Sequence, residues 1–269
     1  MSPNTATLPD GRTVHCVNAY EVDFAVDEIF TDELSDHGID MPEDGVYVDV
    51  GANIGLFALY LRDHCPRGRI VAYEPMPDAF AALEKNMGPP SSDAVRVQIG
   101  LGEVAGEVEF DHFPGITALS TSHKAVGQEL AAGLLKMITG SQSSGEVQHI
   151  LEKTGATELR EEAGFVDGLF RRDTVVARIE TLSSEIARLG IDRIDLLKID
   201  TEGAEKDVLA GIADADWTRI QQLMVEVHLG AAERDIIEAQ LQARGYRTSI
   251  SDHPLAEGGA PVFHIYARR

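Results

Sequence analysis

The chain has 269 residues, enough for one α/β domain with elaborations around a substantial core. Apolar residues make up 43%, which excludes wholesale disorder, and a formal charge of -22 without a clustered basic face argues against a nucleic-acid partner. No apolar run approaches the ~18–20 residues that span a bilayer, and residues 1–10 lack a basic stretch followed by an apolar one, so a cytoplasmic protein with no membrane partner is expected.

Residues 1–44 read as an N-terminal cap. Thr13–Val17 suits a short strand after the turn Pro9-Asp10-Gly11, and residues 19–39 are mixed, acidic helix and loop. From residue 45 onward strand and helix signals alternate, which predicts a single α/β domain to residue 269. The expected strands are Val46–Val50, Arg69–Tyr73, Val95–Ile99, Glu107–Phe110, Thr174–Glu180, Arg193–Asp200, Ile220–His228 and Pro261–Ala267. Between them lie helices at Ile54–Arg62, Pro77–Met87, Leu182–Leu189, Ala204–Gly211 and Ala231–Arg244. Residues 120–172 break the rhythm. Two amphipathic pieces, Lys124–Ile138 and Glu146–Glu162, flank a glycine- and serine-rich stretch and predict a helical insertion acting as a lid. Cys16 and Cys65 have no metal-type spacing and are expected as buried or half-buried thiols.

The strongest motif is the strand Val46–Val50 running into Gly51-Ala52-Asn53-Ile54-Gly55. Gly51 permits a sharp turn close to a ligand, and Gly55 permits close packing of the following helix on the sheet. Asp49, near the strand's carboxyl end, is placed to bind the ammonium of a methionine moiety directly or through water. A dinucleotide fold is the competing reading, but it would carry glycine where Asn53 stands. At the end of the second strand, Glu74 is placed to take two ribose hydroxyls of either S-adenosylmethionine or NAD, and it disfavours NADP. Gly100 and Leu101, after the third strand, are candidates to cover the adenine.

A second set of polar residues ends later strands. Asp200 and Glu202 follow the strand that ends at Ile199, while Glu205 suits the electropositive start of the next helix. Glu226 and His228 fall on one face of their strand by alternation and can bind an acceptor or act as base.

Taken together, VDVGANIG at 48–55, YEP at 73–75, LLKIDTEGAE at 196–205 and VEVH at 225–228 resemble the FkbM-type methyltransferases over roughly residues 30–269. The resemblance implies the class I methyltransferase fold, Rossmann-like, with a seven-stranded, mostly parallel sheet and helices on both faces. It also implies S-adenosylmethionine as cofactor, S-adenosylhomocysteine as product, and methyl transfer to a hydroxyl of a polyketide, peptide or sugar natural product. A small-molecule acceptor is then the expected partner, and pairing of two chains is left open. The expected cofactor residues are Asp49, Gly51, Asn53, Gly55, Glu74, Gly100, Leu101 and Asp200. In-line transfer needs the acceptor aligned and its proton removed, for which Asp200, Glu226 and His228 are the expected catalytic groups. Three alternatives stand beside this reading: an NAD-dependent oxidoreductase, a non-catalytic binding or scaffold protein that kept the fold, and a metal-assisted variant in which Asp200, Glu202, Glu226 and His228 bind Mg²⁺.

Overall fold

Alternation along the strands sorts side chains to two faces of one sheet, and each face carries its own core. The computed structural model describes residues 4–128, 131, 168–252 and 262–269. Strand β3 (Val46–Val50) sends Val48 and Val50 to one face and Tyr47 to the other. Strands β4 (Arg69–Tyr73) and β9 (Leu196–Ile199) divide likewise, with Val71, Tyr73, Leu197 and Ile199 opposite Ile70 and Leu196. The first face packs on helices α5 (Leu182–Leu189), α6 (Glu205–Ala210) and α7 (Gly230–Ala243). The second packs on α3 (Leu56–His64) through Phe57, Tyr60 and Leu61. Burying each such side chain stabilises the fold by about 1.5–3 kcal/mol, so the two-faced pattern commits the chain to helices on both sides.

With β5 (Ala94–Val97), β10 (Gln222–Val227), β11 (Arg247–Asp252) and β12 (Phe263–Arg268), the sheet has seven strands in the order β11-β12-β10-β9-β3-β4-β5. Only β12 runs antiparallel to its neighbours. This is the seven-stranded, mostly parallel architecture expected above. Two elements depart from the sequence reading. β11 was not anticipated, because Arg247-Thr248-Ser249-Ile250-Ser251-Asp252 is a polar edge strand without a hydrophobic alternation. The third strand stops at Val97, and Gly100–Leu101 forms a separate strand, β6, which joins β7 (Gly106–His112) and β8 (Asp173–Glu180) in a three-stranded sheet. Of the predicted insertion, residues 124–128, 131 and 168–169 are helical, residues 120–123 and 170–172 are not, and residues 129–130 and 132–167, including Glu146–Glu162, lie outside the described residues. Among the described residues no helix is long and apolar enough to cross a membrane.

The N-terminal segment is a hairpin of β1 (Asn4–Thr7) and β2 (Thr13–Cys16), then α1 (Ala19–Ile29), α4 (Pro77–Asn86) being the helix on which β2 rests, and a short α2 (Glu33–Asp36). Apolar contacts tie it to α3 through Val22, Val26, Ile54 and Leu56. A buried imidazole ties it to the sheet. His264 of β12 is 1% exposed, with Glu226 Oε2 3.4 Å and Glu28 Oε1 3.8 Å from Nε2, and Glu33 Oε1 3.6 Å from Nδ1. Burial alone would lower its pKa, but hydrogen bonding to Glu226 and Glu33, with the charge of Glu28, outweighs burial and pushes it up to about 10.

At the centre, β3 and β9 are parallel neighbours, with β4 and β5 on one side and β10 on the other. Here the chain reverses its direction of winding and leaves a crevice beyond the strands' carboxyl ends. The loops that follow β3 and β9 meet there. A Cβ on Gly51 would lie 1.7 Å from the carbonyl oxygen of Asp200, and Gly51 has φ +85°. Its close neighbour is thus another loop of the protein. Gly55 (φ +88°) plays the expected packing role, since its missing Cβ would meet Leu83 Cδ1 of α4 at 2.6 Å.

Gly51→Ala should therefore destabilise the protein by about 2–4 kcal/mol, combining a left-handed backbone with a backbone clash, as read by urea unfolding. The raised pKa of His264 carries a second prediction. Its stabilisation is complete below the ordinary imidazole value near 6.5 and is lost as pH climbs toward 10. Thermal midpoints should fall across that window, and His264→Gln should flatten the decline; parallel curves for the two proteins would refute the assignment.

Candidate active site

A cavity of about 410 Å³ opens over the carboxyl ends of β3, β4 and β9, and the three-stranded sheet and residues 117–123 close its outer side. That volume lies within the range of small-ligand sites. Of the residues expected to bind a cofactor, Gly51, Asn53, Glu74, Gly100, Leu101 and Asp200 line it, whereas Asp49 and Gly55 do not. Of those expected in catalysis, Asp200 lines it and Glu226 and His228 lie behind its wall.

Glu74 is the best-defined polar group. Its Oε2 accepts from the amide of Asn53 at 2.8 Å and its Oε1 from the amide of Met76 at 2.7 Å. Each carboxylate oxygen has a second lone pair, so a pair of vicinal hydroxyls can be received without disturbing the two amides. Burial pushes the carboxyl up to about 7, against the pull of those amides. Around it, Met76, Ile99, Leu101 and Phe110 supply apolar walls.

Asn53 holds a left-handed backbone (φ 47°), a conformation that asparagine tolerates better than most residues. Its side-chain amide donates to Thr117 Oγ1 at 3.1 Å. Thr117 in turn gives its backbone amide to Glu21 Oε1 at 2.7 Å, and Asn18 Nδ2 donates to Glu21 Oε2 at 2.6 Å. A carboxylate from α1 thereby braces the cavity loop, and burial pushes it up to about 7. Sequence reasoning missed this link because 96 residues separate its two ends.

Asp49 is wholly buried on the α3 side of the sheet. Its Oδ1 lies 3.7 Å from Lys198 Nζ, and that ammonium donates to Asp200 Oδ2 at 2.8 Å. Burial pushes Asp49 up to about 6, opposed by Lys198. Burial also opposes the charge on Lys198, yet Asp200 and Asp49 outweigh it and raise the lysine's pKa. Asp49 therefore meets the cavity through Lys198 and Asp200. A lysine inside the apolar run Leu196-Leu197-Lys198-Ile199 was the sequence signal for this relay.

His228 sits in a cage of carboxylates. Nε2 is 3.2 Å from both Glu202 Oε2 and Glu226 Oε1, and Nδ1 is 3.1 Å from Glu205 Oε1. Burial would lower its pKa, but Glu202, Glu205 and Glu226 outweigh burial and raise it well above the ordinary value. Both nitrogens are engaged by carboxylates, which favours the protonated ring. Glu205 is more than a charge at a helix start: Oε1 also accepts from the amides of Gly203 at 2.8 Å and Thr201 at 3.3 Å, fixing the loop that carries Glu202. Asp200, Glu226 and His228 each offer a ligand atom, all within 4.8 Å of one another, three of the four residues named for the metal variant.

Comparison with known proteins bears on the choice of cofactor. Residues 49–248 match the family model described as the methyltransferase FkbM domain. The chain is 35% identical over 268 residues to the 31-O-demethyl-FK506 methyltransferase FkbM of Streptomyces tacrolimicus, covering 98% of this chain and 96% of that one. It is 34% identical over 97% of its length to the AMB antimetabolite synthetase AmbE of Pseudomonas aeruginosa, of which it spans only 12%. A crystal structure of methyltransferase FkbM from Methylobacillus flagellatus KT superposes with a TM-score of 0.52 at 14% identity, covering 86% of this chain and 45% of that one, which supports the fold alone. These matches favour a methyl donor over a nicotinamide dinucleotide. With the family model matched across most of its length and a full-length relative at 35% identity, the chain belongs to the FkbM methyltransferase family.

Proposed function

We propose that this protein transfers the methyl group of S-adenosylmethionine to a hydroxyl of a small-molecule natural product, a polyketide, peptide or sugar. The observation that carries the cofactor assignment is Glu74, a cavity-lining carboxylate whose oxygens are aligned by two amides and retain capacity for two ribose hydroxyls. The donor set fits the rest of such a ligand. Met76, Ile99, Leu101 and Phe110 suit an adenine, and Asp200 brings a carboxylate to the same cavity that suits a cationic sulfonium or ammonium. Support for an oxygen acceptor comes from the relatives' names, which include the 31-O-demethyl-FK506 methyltransferase and, at 24% identity, the hexuronic acid methyltransferase AglP of Haloferax volcanii.

Bound adenosylmethionine supplies a methyl group already activated on a sulfonium. The chain's own share is alignment, exclusion of water and handling of the acceptor's proton. Asp200, steadied by Lys198, orients groups at the cavity floor. His228, held by Glu202, Glu205 and Glu226, offsets their charge and keeps the 200–205 loop in place.

Calorimetric titration should show binding of adenosylmethionine and adenosylhomocysteine; heat with NAD and none with adenosylhomocysteine would sink the reading. A mass-spectrometric screen of hydroxylated metabolites, run with Mg²⁺ and with a chelator, then identifies the acceptor and tests the metal variant. Glu74→Ala should weaken adenosylhomocysteine binding by about 1.5–3 kcal/mol, the range for hydrogen bonds to a charged group. An unchanged affinity would remove Glu74 from the site.

A further inference from the structure

A histidine other than His228 lines the cavity, on residues the sequence motifs did not reach. His123 and Asp207 both line it, and His123 Nε2 lies 2.9 Å from Asp207 Oδ2. Their side chains are 38% and 45% exposed, so the pair stands open where His228 is sealed. The position of the imidazole is built in. The amide of His123 donates to Thr121 Oγ1 at 3.0 Å, and the Thr121 hydroxyl donates to the carbonyl of Glu202 at 2.6 Å. Three residues on, Val126 closes over Gly203, whose added Cβ would come within 3.0 Å of it. The segment bearing His123 is thus pinned to the loop bearing Asp200 and Glu202.

With Nε2–H donating to Asp207, the lone pair of Nδ1 is left available, and Nδ1 makes no hydrogen bond among the described residues. A carboxylate fixing one imidazole nitrogen while the other takes a proton is the general logic of an oriented base. Resting on the reading of the cavity given above, we propose that His123 is the catalytic base of the methyl transfer and that Asp207 is the residue that positions it. As the acceptor oxygen bonds to the methyl carbon, its O–H bond breaks and the proton passes to His123 Nδ1. The carbon–sulfur bond breaks with its electron pair going to sulfur. The resulting imidazolium is paired with Asp207 and, being partly exposed, passes its proton to solvent.

Two measurements on the full chain test this. In a crystal structure with adenosylhomocysteine, His123 Nδ1 should lie no more than about 8 Å from the sulfur, the span of one hydrogen bond, one near-attack contact and one carbon–sulfur bond. Binding of adenosylhomocysteine with Nδ1 well beyond that span overturns the dyad alone, and failure of the protein to bind adenosylhomocysteine overturns the cavity reading with it. In the second measurement, His123→Gln and Asp207→Asn are compared with the parent protein, using radiolabelled adenosylmethionine and the compound methylated in the screen. Both variants should keep the melting temperature and the adenosylhomocysteine affinity within about twofold. His123→Gln should lower kcat by at least about 100-fold, the lower range for a general base, and lose the acidic limb of the pH–rate profile. Asp207→Asn should give a smaller loss with that limb displaced. A parental kcat and pH profile in His123→Gln would overturn the proposal.

Discussion

The crossing of two loops at Gly51 and Asp200 is the contact on which the site depends. Without a side chain at residue 51, the backbone after β3 comes against the backbone after β9. One crevice then receives both the amides that align Glu74 and the carboxylates that follow Ile199. The reversal of winding between β3 and β9 creates the opening, and the glycine lets its two rims close to a usable width. The same glycine also lines the cavity.

Around the crossing the protein gathers buried and half-buried carboxylates about three cationic or basic side chains among the described residues. Lys198 lies between Asp49 and Asp200, His228 among Glu202, Glu205 and Glu226, and His264 among Glu226, Glu28 and Glu33. Breaking such a pair leaves an uncompensated buried charge and is costly, which makes the cluster a rigid support more than a source of net stability. Glu226 touches both imidazoles and so joins the β10 end of the site to the N-terminal segment.

The sequence was most readable where local pattern and tertiary demand coincide. The strand–glycine–helix run at 46–55, the acidic end of β4 and the two-faced apolar strands disclosed the sheet and the side of the cavity that holds Asn53 and Glu74. Edge strand β11 stayed hidden because its outer residues need no alternation, and β6 because a two-residue strand has no period to detect. Asp49 and His228 were assigned by type and position. Their burial beside Lys198 and three glutamates, which decides what each can do, depends on packing that no spacing encodes. Glu21, Thr117, His123 and Asp207 were missed for the same reason, since each owes its place to a partner far along the chain.

The brace from Glu21 through Thr117 to Asn53 bears on how this enzyme can be taken apart and recombined. The family match begins at residue 49, yet the carboxylate that steadies the cavity loop lies 28 residues before it. An exchange of domains that cut at the start of the matched region would carry the fold across and leave Asn53 and Thr117 without their support. The unit to move is the one defined by hydrogen bonds, and its junction belongs ahead of α1, the helix that carries Glu21.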